Sequence, residues 1–179
     1  MFQFLRGRRH ERAGYELYCA AVAAARAPAL YTDLGVPDTL DGRFDLVGLH
    51  VFLLIRRLQA LPPPGPALAQ AVFDAMFHDM DMNLREIGVS DMSIGRKVKQ
   101  MWEALHGRAS AYQTALESAD PEALTAALVR NVWRGNAGPE QAAALAKLAR
   151  AQDAFLGTQD PAALAAGKAR FLPAAEVLA

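Results

Sequence analysis

A single cysteine, Cys19, stands among 179 residues, which excludes a disulfide framework and any Cys-rich zinc site. Net charge is lacking too: 19 Lys and Arg balance 19 Asp and Glu. That balance argues against a dedicated nucleic-acid binder, so no DNA partner is expected. Long hydrophobic runs are missing. The longest uncharged apolar stretch, Leu46–Ile55, is interrupted by His50 and closed by Arg56 and Arg57, far short of the roughly 20 residues a membrane-spanning helix needs. No Gly-x-Ser-x-Gly, phosphate-cradling Gly-rich loop or paired-Cys motif occurs, which removes the common signatures of nucleophilic, nucleotide and redox chemistry. The first twelve residues carry Arg6, Arg8, Arg9 and Arg12 against Glu11 but no apolar segment behind them, so a signal peptide is not expected.

What is present is apolar and ordered. Hydrophobic residues make up 53% and charged residues 21%, outside the range of disordered chains. The length suits one domain with a sizeable core. Together these features predict a reduced, cytoplasmic globular protein.

Helical periodicity runs through the chain, with no alternating stretch bounded by hairpin turns. Helices are expected over about 11–27, 43–61, 67–87 and 91–117, the last with a break near Gly107. The run Pro62-Pro63-Pro64-Gly65-Pro66 must end the second of them. In the last third, Asp120-Pro121, Gly138-Pro139 and Asp160-Pro161 each place proline behind a capping residue, opening helices near 121–134, 139–156 and 161–169. The fold class is all-α: a single globular helical domain of about six to seven helices. The helix over 43–61 is apolar almost all round and is expected at the centre, with Leu49, Phe52, Leu53 and Leu58 in the core. Cys19, in an Ala-rich helix, reads as a small hydrophobe. His50 reads as a neutral, hydrogen-bonded core histidine.

Two charged strips stand out. On the helix over 67–87, Phe73, Met76, Phe77, Met80, Leu84 and Ile87 share one face, while Asp74, His78, Asp81 and Arg85 share another; Asp79 and Glu86 lie between. The next helix opens with Arg96, Lys97 and Lys99 above Ile94, Val98 and Met101. Either strip could meet a partner, or be a solvated face held by i,i+4 pairs such as Asp81–Arg85. Glu103-Ala-Leu-His106 matches the Glu-x-x-His spacing of di-iron bundles, but such sites need two copies. An enzyme using His78, Asp74, Asp81, Glu103 and His106 is therefore the weaker alternative, and no metal, cofactor or catalytic residue is assigned. In the link before the second helix, Asp38, Asp41 and Asp45 surround Arg43. A buried or half-buried Arg43 paired with one of these aspartates would hold that link against the helix over 67–87, where Asp79 and Glu86 are further candidates. The N-terminal arginines beside Phe2, Phe4 and Leu5 suit a ribosomal or anionic membrane surface, or a frayed end.

Several of these segments, taken in order, resemble one family. Leu34-Gly-Val-Pro-Asp-Thr-Leu-Asp-Gly-Arg-Phe-Asp45, Phe73-Asp-Ala-Met-Phe-His-Asp-Met-Asp81, Leu84-Arg-Glu-Ile-Gly-Val-Ser-Asp91 and Gly95-Arg-Lys-Val-Lys99, followed by Gly107-Arg108, Tyr112 and Arg130-Asn131, resemble the ubiquinol–cytochrome c chaperones. The likeness covers about 12–135, read as the chaperone domain; 136–179 reads as an Ala-rich helical extension packed on it. The resemblance implies a non-catalytic assembly factor for respiratory complex III that holds newly made cytochrome b, with contact to the ribosome near the tunnel exit. A bacterial member, peripheral at the inner face of the cytoplasmic membrane, is expected. The partner-binding residues on this reading are Asp38, Asp41, Arg43, Asp74, Asp79, Asp81, Arg85, Glu86, Lys97, Lys99 and Arg108. Arg6, Arg8, Arg9 and Arg12 would dock on membrane or ribosome. Clustered methionines suit a surface that repacks around varied apolar side chains.

Overall fold

The computed structural model describes residues 2–178, with side chains described from residue 10 onward. Nine α-helices and no strand occur among the described residues: α1 (Phe2–Ala25), α2 (Ala29–Thr32), α3 (Leu40–Gln59), α4 (Gly65–Glu86), α5 (Asp91–Glu117), α6 (Ala123–Val132), α7 (Pro139–Thr158), α8 (Pro161–Ala165) and α9 (Ala174–Leu178). Six are substantial. Of the other three, α8 is the helix expected near 161–169, ending earlier than expected, while α2 and α9 are short pieces that periodicity alone does not resolve.

Local chemistry sets the ends of α3. Thr39, in extended conformation, accepts the Gly42 N–H at 3.1 Å, satisfying one of the orphan donors of the first turn. Asp41 near its start and Arg56 and Arg57 near its end complement the helix dipole. Eleven of its 20 residues are buried, which makes α3 the axis of the fold. Helices α1, α4 and α7 pack around it, and α5 and α6 close the remaining side. Leu49, Phe52, Leu53 and Leu58 all lie in the core, as expected. His50 is buried as well, its Nδ1 2.8 Å from the Leu46 carbonyl oxygen.

Helix α1 lies tightly across α4. A methyl group on Gly14 would come within 2.5 Å of the Ala71 Cβ and 2.7 Å of its backbone carbon, so only glycine permits this approach. Tyr18 donates a 2.6 Å hydrogen bond to Asp79 from the same interface.

Residues beyond 136 belong to the same core: Leu145, Leu148, Leu156 and Leu164 join the cluster built by α1, α3 and α4. Two buried glutamines hold the extended tail to α7. Gln152 donates to and accepts from the Leu172 backbone at 2.8 Å each, and Gln159 does the same with Arg170 at 2.7 and 2.9 Å. This pairing resembles a short strand ladder made by side-chain amides, and it satisfies backbone groups that burial would otherwise leave unmet.

Several expectations need correction. Cys19 is exposed rather than packed in the core. Ile87, assigned to the apolar face of α4, is 60% exposed because it lies beyond the last helical turn. Helix α5 continues through Gly107 without a break, and α6 begins at Ala123, since Pro121 and Glu122 form a turn in which Asp120 accepts the Glu122 N–H.

Candidate functional site

A groove opens where α5 diverges from α4 above α3. Its floor and walls are Val51, Phe52 and Ile55 from α3, Phe73 from α4, and Leu105 and Ala109 from α5. Its volume is about 410 Å³, within the range of small binding clefts. Phe73 packs on Phe77 as a tilted pair on α4, with centroids 4.6 Å apart and 36° between planes, and both stay only partly buried. At the rim stand Gln59, His106, Ser110, Gln113 and Arg56. Arg56 brings no net charge: its Nη1 donates to both oxygens of Asp153 on α7 at 2.7 and 2.8 Å, and its Nε donates to Gln113. One turn above His106, Trp102 stacks on the imidazole with centroids 5.2 Å apart and 7° between planes. The indole is 43% exposed. The groove is thus an apolar trough edged by polar groups and the Arg56–Asp153 pair, with Trp102 stacked on the rim imidazole outside the lining.

The sequence-predicted residues fall into three groups. Some lie on α4 and α5 outside the groove lining. Asp74 accepts from Gln70. Arg85 bridges Asp81 at 2.7 Å and Asp91 at 2.6 Å. Glu86 and Lys97 are exposed, with no ion pair among the described residues, and Lys99 stands 3.8 Å from Glu103. Other residues turn inward. Asp79 is engaged by Tyr18, whose hydroxyl is held above its ordinary range by burial and then by that bond. Arg108 is mostly buried against Asp45. A third group lies elsewhere: Arg43 pairs with Asp38 at 2.6 Å, with both side chains more than half exposed, while Asp41 is exposed in the first turn of α3. Arg43 thus meets one of the expected aspartates, but the pair stands on the surface and forms no buried clamp against α4. At the N-terminus, Arg12 pairs with Glu16, while the side chains of Arg6, Arg8 and Arg9 lie outside the described ones. The weaker metal reading finds no support in the geometry: among the described residues no three His, Cys, Asp or Glu side chains converge, so His78, Asp74, Asp81, Glu103 and His106 form no site. The methionines divide likewise. Met76 and Met80 are core, whereas Met82 and Met92 are 48% and 98% exposed.

The family model for ubiquinol–cytochrome C chaperones matches residues 32–171. The chain belongs to the ubiquinol–cytochrome c chaperone family. It is similar to ubiquinol-cytochrome-c reductase complex assembly factor 1 of Xenopus laevis, 24% identical over 149 residues covering 83% of this chain and 74% of that one. The crystal structure of the Cbp3 homolog from Brucella abortus superposes with a TM-score of 0.86 at 32% identity, covering 98% of this chain and 99% of that one. The groove, the charged strips and most of the C-terminal third all fall inside the stretch that the family model matches.

Within this chaperone, sequence reasoning passed over one buried cluster. The Asp45 side chain is fully buried on α3, with Arg108 of α5 2.8 Å from Oδ1 and Arg134, from the turn between α6 and α7, on Oδ2. Burial holds the Asp45 carboxyl above its ordinary range, and the two guanidinium groups pull in the other direction. Arg108 also lies over the Phe44 ring, 5.5 Å from its centroid. A run of aspartates around Arg43 pointed to this region; Arg43 takes Asp38 from among them, and Asp45 meets two distant arginines instead. The signal for Asp45 was its position on the apolar face of α3, one turn before Leu49.

Proposed function

We propose that the groove between α3, α4 and α5 receives an apolar segment of newly made cytochrome b while the cytochrome bc complex is being assembled. Membership of the chaperone family makes the chain a complex III assembly chaperone. The observation that carries the finer reading is the chemistry of the groove. A segment destined for the membrane is apolar and uncharged, and before insertion it must be shielded from water and from other such segments. A trough of Phe, Ile, Leu and Val with a neutral polar edge offers burial without demanding a charge from its occupant. Helix-in-groove recognition needs this kind of surface. Trp102, flat and half-exposed beside the rim, has the character of an anchor. The strips of Asp74, Asp81 and Glu86 on one side and Arg96, Lys97 and Lys99 on the other set approach and register rather than affinity. No catalytic step is assigned.

Contact with the ribosome near the tunnel exit or with an anionic membrane is a finer proposal still. It rests on Arg6, Arg8, Arg9 and Arg12, and salt-sensitive pelleting with ribosomes or anionic vesicles tests it.

The decisive experiment is recovery of cytochrome b with the tagged chaperone. Ala109→Glu puts a charge on the groove wall that an apolar segment cannot satisfy. Recovery should fall by about tenfold or more, equivalent to about 1.4 kcal/mol, with helix content unchanged. Full recovery with the variant would remove the groove as the site, and unchanged complex III in a deletion strain would sink the assembly role itself.

A further inference from the structure

One wall of the groove belongs to a helix that is held mainly along its second half. Leu105, His106, Ala109, Ser110 and Gln113 of α5 form that side, yet from Asp91 to Ala104 only Ile94 of this helix is buried. The placement of α5 therefore depends on its second half. There, Leu105 sits so close to α3 that a Cβ on Gly48 would lie 3.0 Å from its Cδ1. Tyr112 packs on Phe52 with centroids 5.8 Å apart, and Arg108 reaches Asp45.

The Asp45 cluster is unequal. Arg108 lies 2.8 Å from Oδ1, but neither its Nη1 nor that oxygen has a partner that meets hydrogen-bond geometry; their attraction is Coulombic and unaligned. The aligned donor among the described residues is Arg134, which bonds Oδ2. The two hydrogens of its Nη1 are shared between that oxygen and the carbonyl oxygens of Asn131 and Val132, at 2.7 and 3.2 Å, so the guanidinium is seated over the end of α6. To reach that seat Arg134 takes φ +55°, a left-handed conformation that non-glycine residues rarely adopt, beside Gly135 at φ +90°. A strained backbone that delivers an exposed arginine onto a buried carboxylate is held there by what the contact does.

We propose that Arg134 is a positioning residue for the groove: by neutralising Asp45 it keeps the Asp45–Arg108 link made, and so sets the spacing of α5 from α3 and α4. Without Arg134, a buried carboxylate faces one misaligned cation. Asp45 then either takes up a proton and releases Arg108, or draws in water; both free the groove wall. The link to cytochrome b rests on the reading given under Proposed function, but the groove-width claim does not.

Spin labels at Gln70→Cys on α4 and Thr114→Cys on α5, both exposed positions, in a full-length Cys19→Ser background, report that width by pulsed dipolar spectroscopy with no client present. Arg134→Gln removes the charge. Arg134→Gly removes it while relieving the backbone strain, which separates the two effects. Arg134→Lys restores a cation. The expected result is one narrow distance distribution in the parent, broadened distributions with Gln and Gly at unchanged helix content, and a narrowed one with Lys. Unchanged distributions in both the Gln and Gly variants overturn the proposal, as does loss of helicity in both, which would make Arg134 a folding residue. Recovery of cytochrome b is then compared with that of Ala109→Glu. If Ala109→Glu recovers cytochrome b normally, the client reading fails, while the distance measurement still decides the role of Arg134.

Discussion

At the residue scale, Phe52 and His50 sit within three positions of each other on α3 and make different demands. The Phe52 ring is 8% exposed, packs on Tyr112 and floors the groove. Phe52→Ala should therefore cost about 3–5 kcal/mol through lost burial and a residual cavity, read as a lower urea midpoint at unchanged m-value. His50 is fully enclosed, and burial holds its imidazole below the ordinary value of 6.5 despite the Leu46 carbonyl. The unfolded chain thus takes up a proton near pH 6.5 that the folded chain refuses. Stability falls as pH drops below about 6.5, by at most about 1.4 kcal/mol per pH unit for one proton. His50→Gln keeps a donor for the Leu46 oxygen and should flatten this part of the unfolding profile between pH 7 and 5. Identical slopes in the two proteins would show that His50 contributes nothing. Both side chains were legible as core from periodicity alone, because α3 is apolar almost all round. Asp45 was not: its partners come from α5 and from a turn near residue 134, and nothing local announces that a carboxylate on an apolar face will meet two arginines so distant in the chain.

At the scale of elements, glycines separate positions set by packing from positions that packing does not explain. Gly14 lies where α1 presses on α4, and a methyl group there would meet backbone at 2.7 Å. Gly14→Ala must push the two helices apart, with an expected loss of about 1–3 kcal/mol. Gly95, inside α5, is the opposite case: a methyl group there would meet nothing within 4 Å, and in an open helix interior glycine is about 1 kcal/mol worse than alanine. Gly95→Ala should accordingly raise the thermal midpoint. A midpoint that does not rise would mean that the first half of α5 gains nothing from helix propensity. If cytochrome b recovery falls while stability rises, Gly95 leaves room for close approach by the client. Helix boundaries were mostly readable: proline at the start of α7 and α8 and the proline run after α3 punctuate the chain where expected. The groove was not. Amphipathic spacing identifies Phe73 and Phe77 as apolar-face residues, but whether a neighbour covers them depends on how far α5 swings from α4. That angle is set by Gly48, Leu105 and the Asp45 cluster, which are tertiary features.

For the whole molecule, the question is which surface the client meets. The chain places its apolar trough between α3, α4 and α5, its unpaired charges on the outer faces of α4 and α5, and one face of its Ala-rich helix α7 against α3 and α6. No described helix is long and apolar enough to cross a membrane. If the trough is that surface, photo-crosslinkers at His106, Ser110 and Gln113 should capture cytochrome b. Those at Lys97 and Lys99 should do so more weakly and lose yield with salt, since charge there governs encounter while apolar burial governs residence. Crosslinkers on the exposed face of α7, at Lys147 or Glu140, should capture little. Lys97→Ala with Lys99→Ala should leave the fold intact and slow capture without abolishing it. Asp79→Ala with Asp81→Ala is a different case: Asp79 anchors Tyr18, so that pair should lose stability before it loses client. Crosslinks confined to residues 139–170 would place the client on the C-terminal third. The partly buried Phe73–Phe77 pair and the half-exposed Trp102 would then need another explanation.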